Sequence, residues 1–133
     1  MEFAHARAEG QGSAQRSDTF TGTVWADPVM ATAEGVTVAT VAFQPCARTY
    51  WHFHERGQLL IVLTGRGFVA NRDGDHRVLQ ASDVVWVPPG EQHWHGGSAD
   101  SLLVHTAVSH GKTNWLEEVP EADYRAVVEA VLG

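Results

Sequence analysis

The strongest constraint on the fold is a succession of short apolar runs that end at glycine, proline or aspartate. Val36–Phe43, for example, is dominated by β-branched residues, and Gln44 and Pro45 follow it directly. Such runs recur at intervals of roughly 8–12 residues, which is typical of β-sandwiches and β-barrels. Apolar residues at helical spacing occur only after Pro120. We therefore predict an all-β domain, a barrel of the jelly-roll kind with two antiparallel sheets, followed by a short C-terminal helix.

The two ends of the chain differ from this central β-rich part. Residues 1–18 have no apolar pattern and are predicted to form a flexible N-terminal tail. Residues 19–133 are then predicted to form a single domain, which is long enough for one hydrophobic core. The helix is predicted to begin near Glu121, because four apolar residues fall on one of its stripes: Tyr124, Val127, Val128 and Val131.

Glycines predict two turns in the middle of the chain. Gly65 and Gly67 are predicted to form a turn that separates a strand at 58–64 from one at 68–71. Asp73 and Gly74 predict a hairpin that leads into the next strand.

The composition excludes several classes of partner. The chain has 9 Lys+Arg against 16 Asp+Glu, a formal net charge of −7, and no basic run. Nucleic acids and anionic membranes attract clustered positive charge, so we expect neither as a partner. No apolar stretch approaches the ~20 residues of a spanning helix, and the single cysteine cannot form an internal disulfide. We therefore expect a cytoplasmic protein.

Two separated groups of metal-capable side chains identify a candidate metal site. His52 and His54 lie on one predicted strand, where residues i and i+2 point to the same face. Gln58 begins the next predicted strand, and His93 opens another strand directly after a proline-glycine turn. One inward-facing histidine is usually a hydrogen-bonded core residue, but this set favours a metal, since neutral imidazole is the commonest metal ligand. The set indicates a metal-centred enzyme that acts on a small molecule.

The spacing of these residues resembles that of the cupin superfamily. Its first motif reads G-x5-H-x-H-x3-4-E-x6-G, and residues 46–65 here read C-ARTYW-H-F-H-ERG-Q-LLIVLT-G. Its second motif reads G-x5-P-x-G-x2-H-x3-N, and residues 82–97 read S-DVVWV-P-P-G-EQ-H-WHG-G. The resemblance implies a cupin-type jelly-roll barrel. Four residues depart from the motifs: Cys46 and Ser82 at the leading glycines, Gln58 at the glutamate, and Gly97 at the asparagine.

The glutamine at position 58 changes the chemistry that such a site would have. A carboxylate ligand would neutralise one unit of the metal's charge, whereas an amide oxygen neutralises none. A divalent ion held by three imidazoles and Gln58 would therefore keep its full charge, and would attract an anionic ligand more strongly. These donors suit Mn, Fe, Co, Ni or Zn, and affinity alone does not choose among them.

Within the cupins, the chain resembles the small bacterial manganese-dependent hydroxynitrile lyases. The resemblance extends from about Phe20 to Arg125, and its shared stretches lie at 20–24, 47–52, 57–62, 83–86, 89–96 and 114–124. It implies a bound divalent transition metal, with manganese preferred over Fe, Co, Ni and Zn. It also implies a site of six residues: the ligands His52, His54, Gln58 and His93, with His105 and Thr49 near the substrate.

Alternation along residues 101–108 places His105 on the same face as Leu103 and Ala107. If this face lines the barrel interior, His105 is a candidate catalytic acid/base, since an imidazole with a pKa of ~6.5 exchanges protons at neutral pH. The alternative is a core histidine that is hydrogen-bonded to a carbonyl.

Further residues are predicted to line the substrate pocket beside Thr49. His95 points the same way as His93 and is either a pocket residue or a structural one. Ala39 and Val41 share one face of the Val36–Phe43 strand and are predicted to narrow the pocket, with an ordinary core position as the alternative.

The preferred function is a metal-dependent carbon–carbon lyase that cleaves or forms cyanohydrins from HCN and an aldehyde or ketone. One rival is an iron or manganese dioxygenase acting on a diketone or phenolic substrate, because three-histidine sites suit O2 activation. A second rival is a non-catalytic cupin that binds a metal or ligand. We also expect a homodimer or a higher homo-oligomer, because Trp25 and the Val36–Phe43 run near a predicted edge leave surface that a second copy could cover. The resemblance to cupins implies the same.

Overall fold

The computed structural model describes residues 1–5 and 12–132 of the chain. Over these residues the chain forms short strands and one C-terminal helix, α1 (Glu121–Leu132). The strands are β1 (Ala14–Arg16), β2 (Phe20–Thr21), β3 (Val24–Ala31), β4 (Val36–Phe43), β5 (Arg48–Thr49), β6 (His52–His54), β7 (Gln58–Asn71), β8 (His76–Gln80), β9 (Val84–Val87), β10 (His93–Gly97), β11 (Leu103–His110) and β12 (Thr113–Trp115).

The strands form two antiparallel sheets that share the long strand β7. The first sheet has the order β1-β3-β4-β11-β7-β9. In the second sheet β7 lies between β8 and β10, and β10 pairs in turn with β5 and β6, which pair with β2 and β12. The two sheets enclose a nearly closed barrel, so the predicted all-β fold with two antiparallel sheets and a C-terminal helix is confirmed.

The prediction of a turn at Gly65 and Gly67 is wrong, because β7 runs through both glycines as one strand of 14 residues. Its first half pairs with β11 and β9 in the first sheet, and its second half pairs with β8 and β10 in the second. Gly65 has a φ of 85°, and a Cβ there would lie 2.0 Å from the Leu102 carbonyl oxygen. Glycine therefore permits the bend that carries the strand from one sheet into the other. The hairpin at Asp73 and Gly74 is confirmed between β7 and β8.

Two residues that replace motif glycines keep a glycine-like backbone. Cys46 has a φ of 68° and Ser82 a φ of 75°. This left-handed conformation costs an L-residue about 1–2 kcal/mol. Backbone hydrogen bonds impose it, since the N–H of Ser82 donates to the Val62 carbonyl at 3.0 Å and that of Cys46 to the Ser98 carbonyl at 2.9 Å. The turns are thus retained although their glycines are not.

The apolar interior consists of two clusters. The first fills the space between the sheets and includes Val41, Phe43, Val62, Leu79 and Leu103. The second lies under the helix and includes Trp51, Phe68, Trp94, Val119 and Tyr124, with Val127, Val128 and Val131 packed against it. The predicted helical stripe is therefore confirmed.

Polar contacts fix the helix on the second sheet. The Tyr124 hydroxyl donates to the Gly97 carbonyl at 2.8 Å. The guanidinium of Arg48, a buried residue, donates to the Val119 carbonyl at 3.1 Å and to the Glu121 carboxylate at 3.2 Å. These bonds hold the start of the helix against β5 and β10.

Part of the predicted N-terminal tail is a strand. β1 pairs with β3 at the edge of the first sheet, in the register Gln15 opposite Trp25. Residues 6–11 lie outside the described residues, so the flexibility of the tail and the division into tail and domain stay predictions. Within the described part of the chain, no helix has the length and apolar character needed to cross a membrane.

Candidate metal centre

Strand pairing brings the two groups of predicted ligands together. β6 and β10 are antiparallel neighbours with His52 opposite His93, and the centroids of these two rings are 4.2 Å apart. The His54 ring lies 5.0 Å from the His52 ring and 5.5 Å from the His93 ring. All three side chains are buried. The three predicted histidine ligands therefore meet inside the barrel, as the alternation along their strands indicated.

Gln58, the first residue of β7, is also directed into this cluster. Its side-chain oxygen lies 3.0 Å from Nε2 of His93, and its side-chain nitrogen donates to the Ser109 hydroxyl at 3.1 Å. In this orientation the amide oxygen faces the histidines and the amide nitrogen faces Ser109. The structure thus places all four predicted ligands in one group, although their assignment as ligands stays a prediction.

Hydrogen bonds to the outer ring nitrogens define the histidine tautomers. Nδ1 of His52 donates to the Tyr50 carbonyl and Nδ1 of His93 to the Glu91 carbonyl, each at 2.9 Å. A carbonyl can only accept, so in both neutral rings Nε2 carries the lone pair. Nδ1 of His54 lies 3.0 Å from the Thr113 hydroxyl, and its Nε2 is buried without a partner among the described residues.

This tautomer assignment creates a contact between two hydrogen-bond acceptors. Nε2 of His93 carries a lone pair, and so does the Gln58 oxygen 3.0 Å away. Two acceptors at this distance repel each other unless a cation or a proton lies beside them. A proton is disfavoured, because burial lowers the pKa of His93 to about 4. The arrangement therefore suits a divalent transition metal, whose identity these donors do not determine.

His95, which was predicted to line the pocket, lies close enough to the other histidines to be a metal ligand. Ring nitrogens of His52, His93 and His95 lie within 4.8 Å of one another, which makes them a possible three-histidine metal group. Nε2 of His95 is buried without a partner among the described residues. The signal for this position was present in the sequence, since His95 is two residues from His93 on the same strand, but the distance depends on the β6–β10 pairing.

His105 lies on the opposite wall of the same interior. It is on β11, between Val41 of β4 and Val62 of β7, and it is fully buried. Its Nε2 is 2.9 Å from Nδ1 of His95, which forms a hydrogen-bonded pair of histidines. The sequence predicted that both residues face the interior but not that they contact each other, because β10 and β11 belong to different sheets.

His52, His54, His95 and His105 line a cavity of about 120 Å³ together with Gln58. Of the predicted pocket residues, Val41, Thr49 and His95 line it. Ala39 instead packs against the apolar cluster between the sheets. The cavity wall also includes residues that the sequence did not single out: Phe20, Phe43, Ala107, Ser109, Thr113 and Trp115.

Aromatic side chains close the cavity on the side of β12. The Trp115 ring lies 4.7 Å from the His52 ring and 5.6 Å from the Phe20 ring, and Phe43 lies 5.3 Å from His105. Trp115 lies opposite His52 in the β12–β6 pairing. No local pattern predicts this pairing, which explains why the sequence did not identify Trp115 as a cavity residue.

Burial is the largest cause of a lowered pKa in all five histidines of the cluster. It lowers the pKa of His54, His93 and His105 to about 4, and lowers the pKa of His52 and His95 well below the usual 6.5. The neighbouring rings lower the values for His52, His54 and His95 further. The cluster is therefore neutral near pH 7, and metal ligation requires neutral imidazoles.

The fold and this histidine-lined interior define the class of protein. Residues 39–108 match the family Cupin_2, the cupin domain, and the chain belongs to this family. The (R)-mandelonitrile lyase of Granulicella tundricola is 41% identical over 125 residues, which cover 90% of this chain and 93% of that protein.

Solved structures show the same architecture. A cupin-like protein from Thermotoga maritima superposes with a TM-score of 0.83 at 38% identity, over 92% of this chain and 98% of that one. The polyketide cyclase RemF from Streptomyces resistomycificus superposes with a TM-score of 0.71 at 16% identity, over 96% of this chain and 92% of that one. The latter likeness shows the fold alone. Together with the family match, these structures confirm the cupin-type jelly roll.

Proposed function

We propose that the protein is a metal-dependent lyase that cleaves or forms cyanohydrins, exchanging HCN with an aldehyde or ketone. One observation carries the proposal. The neutral side chains of the four predicted ligands converge beside a small cavity, and His105 lines the same cavity. The 41% identity to a protein named (R)-mandelonitrile lyase supports the reaction class.

The proposed ligands are His52, His54, Gln58 and His93, and the proposed metal is manganese, with Fe, Co, Ni or Zn also suited to the donors. All four donors are neutral, so none of them reduces the charge of the ion. When bound, a divalent ion would supply a 2+ charge that stabilises a departing cyanide or a substrate oxygen. The bonds from Nδ1 of His52 and His93 to backbone carbonyls hold those rings with Nε2 directed inward.

His105 is the proposed proton acceptor. Its Nδ1 has no partner among the described residues, while its Nε2 is within hydrogen-bonding distance of His95. Burial lowers the pKa of His105 to about 4, below the ordinary 6.5, so the ring is unprotonated at pH 7. With Nε2 donating to His95, Nδ1 of His105 carries the lone pair that takes the hydroxyl proton of a cyanohydrin. The His95 bond holds the His105 ring in place, and the reverse reaction returns the proton to the newly formed alkoxide.

The cavity favours small substrates. Its volume is only about 120 Å³, and Phe20, Phe43 and Trp115 give it an aromatic wall. We therefore propose a compact cyanohydrin with one aromatic ring or a short alkyl chain as substrate. The protein is proposed to act in the cytoplasm. Its single cysteine cannot form an internal disulfide, so the fold does not require an oxidising compartment.

A dioxygenase is the second candidate, favoured by the possible three-histidine group of His52, His93 and His95. A non-catalytic binder is disfavoured, because His105 lines the same cavity as three of the predicted ligands, His52, His54 and Gln58.

The test is an assay of the untagged protein loaded with Mn²⁺, Fe²⁺ or Zn²⁺ after chelator treatment. Benzaldehyde release from mandelonitrile is followed by absorbance, and oxygen uptake is followed with an electrode on a phenolic substrate and a diketone. Metal-dependent benzaldehyde release without oxygen uptake is the expected result. Oxygen uptake without cyanohydrin cleavage would replace the lyase by the dioxygenase, and inactivity in both assays with a full metal content would leave a binding protein.

A further inference from the structure

The cavity beside the histidines reaches solvent on the side of β12. Most of the described residues that line it are buried, and the three that reach solvent are Phe20, Thr113 and Trp115. These three lie together, because Thr113 and Trp115 are both on β12 and the Phe20 ring is 5.6 Å from the Trp115 ring. We name the opening that these three residues surround the aromatic mouth.

The inner end of the cavity is polar. Nε2 of His54, Nε2 of His95 and Nδ1 of His105 are buried there without a partner among the described residues. Because a buried polar atom without a partner is unfavourable, this end suits polar groups of a ligand, whereas the aromatic mouth suits apolar ones. A cyanohydrin has the same division, since its hydroxyl and nitrile share one carbon and its hydrocarbon substituent lies on the other side. The polar carbon would therefore enter first and leave the substituent at the mouth.

The cavity is too small to enclose an aromatic cyanohydrin. Its volume is about 120 Å³, whereas a cavity of about 150 Å³ holds one benzene molecule. An aromatic cyanohydrin adds a carbon that carries a hydroxyl and a nitrile to such a ring. An aromatic substituent therefore needs a side chain of the wall to move outward at the mouth.

Trp115 is the wall residue with the most freedom to move. It is 40% exposed, whereas Phe43 and His105 are fully buried. Buried side chains are close-packed and cannot turn without displacing their neighbours. Exposed side chains change rotamer within picoseconds to nanoseconds. The indole is therefore the part of the wall that a substituent can displace.

The backbone beneath this indole is held in place. Trp115 lies opposite His52 in the β12–β6 pairing. The N–H of Leu116 donates to the Trp51 carbonyl at 2.8 Å, and the N–H of Trp51 donates to the Glu117 carbonyl at 3.0 Å. The indole consequently moves by rotation about its own side-chain bonds, and it stays at the mouth in every rotamer.

We propose that Trp115 is a specificity-determining residue, whose indole limits the size of the hydrocarbon substituent on the substrate. With its ring 4.7 Å from the His52 ring, the mouth admits a short alkyl substituent. One aromatic ring fits when the indole turns outward and packs against it, since offset and edge-to-face pairs of rings are favourable. A second fused ring has no space. This inference rests on the proposed function for the identity of the substrate.

The activity test compares Mn²⁺-loaded wild type with Trp115→Leu on the cyanohydrins of acetone, benzaldehyde and naphthaldehyde. Wild type is expected to cleave the first two and to be slow on the third. Trp115→Leu is expected to raise kcat/KM for the naphthaldehyde cyanohydrin, relative to the acetone one, at least ~10-fold, because even one methylene in an apolar pocket changes this ratio by about that factor. The matched control is Trp25→Leu, since Trp25 is 37% exposed but is not among the residues that line the cavity. It is expected to leave the ratio unchanged.

A binding test separates this inference from the proposed reaction. Benzyl alcohol and naphthalenemethanol have the hydroxyl but no nitrile, so they occupy the cavity without reacting. Calorimetric titration is expected to show that Trp115→Leu favours naphthalenemethanol over benzyl alcohol at least ~10-fold more than wild type does. This change in a wild type and variant that cleave no cyanohydrin would reject the proposed function and support the size limit.

Circular dichroism and metal analysis verify that each variant is folded and loaded, and Trp115→Phe replaces Trp115→Leu if that variant is not. Wild type that cleaves the naphthaldehyde and benzaldehyde cyanohydrins equally well would overturn the inference. So would unchanged ratios in a folded Trp115 variant, an equal change in Trp25→Leu, or the absence of both binding and cleavage in wild type and variant.

Discussion

The buried histidine cluster predicts that the metal-free protein loses stability steeply between pH 6.5 and pH 4. In the folded state burial lowers the pKa of His54, His93 and His105 to about 4, whereas an unfolded chain has histidines near 6.5. Above pH 6.5 these rings are neutral in both states and contribute no pH dependence. As the pH falls below 6.5, the unfolded chain binds protons that the folded protein does not, so the free energy of unfolding decreases.

The magnitude follows from the size of these pKa shifts. A difference of about 2.5 pKa units at about 1.4 kcal/mol per unit amounts to roughly 3 kcal/mol for each ring. Three rings together reduce the free energy of unfolding by about 4 kcal/mol per pH unit within the window, and by about 10 kcal/mol across it. That total is as large as the whole stability of a typical domain, about 5–15 kcal/mol. The metal-free protein is therefore expected to unfold before it reaches pH 4.

The assay is urea denaturation at half-unit steps from pH 7.5 downward, followed by tryptophan fluorescence. His105→Gln is expected to reduce the pH slope by about 1.4 kcal/mol per pH unit, while His5→Gln, an exposed position outside the cluster, serves as the matched control. Saturating Mn²⁺ is expected to shift the loss of stability to lower pH, because ligation requires neutral rings. Equal stability of the metal-free protein at pH 7 and pH 5 would refute the buried, neutral cluster, and an unchanged slope in His105→Gln would remove that residue from it.

Four further substitutions have expected outcomes. His93→Ala should lose the metal while circular dichroism still shows a folded barrel; elemental analysis with one ion per chain would contradict its assignment as a ligand. His105→Ala should keep the metal but reduce cyanohydrin turnover by roughly 10²–10⁴-fold, and full activity would exclude it as the base. Gln58→Glu should keep the metal and lose the activity, as measured by metal analysis and benzaldehyde release. Ser82→Gly should raise the free energy of unfolding by about 0.5–1 kcal/mol, because glycine relieves the positive φ of 75°; a decrease measured by urea denaturation would show that the Ser82 side chain stabilises the turn.

The fold was predictable where local patterns determine it. β-Branched runs, the Asp73–Gly74 hairpin and the stripe that begins at Tyr124 each depend on neighbours in sequence, and all three are confirmed. The path of β7 was not predictable, because a glycine that ends a strand and one that bends it give the same local signal. At Gly65 the strand bends because the backbone packs against the carbonyl of Leu102, a residue that is distant in sequence.

The candidate site likewise has features that local sequence patterns predict and features that they do not. Alternation was sufficient to place His52 and His54 on the same buried face of β6. β10 is buried on both faces, so the contact of His93 with them depends on the β6–β10 pairing. The contact between His95 and His105 depends on how the two sheets approach each other, and Trp115 reaches the cavity through the β12–β6 pairing. Both facts arise from tertiary packing, and no local pattern contains them.

Gln58→Glu tests charge more cleanly than other changes in the cluster, because the surroundings of Gln58 accept a carboxylate of the same shape. The amide donates to the Ser109 hydroxyl, and that hydroxyl can rotate to donate to a carboxylate instead. The opposite oxygen would remain 3.0 Å from His93, where a negative charge strengthens the binding of a divalent ion. The variant should therefore retain its fold and bind metal at least as tightly, so a loss of activity would come from the reduced charge of the site and its weaker attraction for cyanide. If Gln58→Glu holds the metal and cleaves mandelonitrile at the wild-type rate, the neutrality of the amide has no part in the reaction.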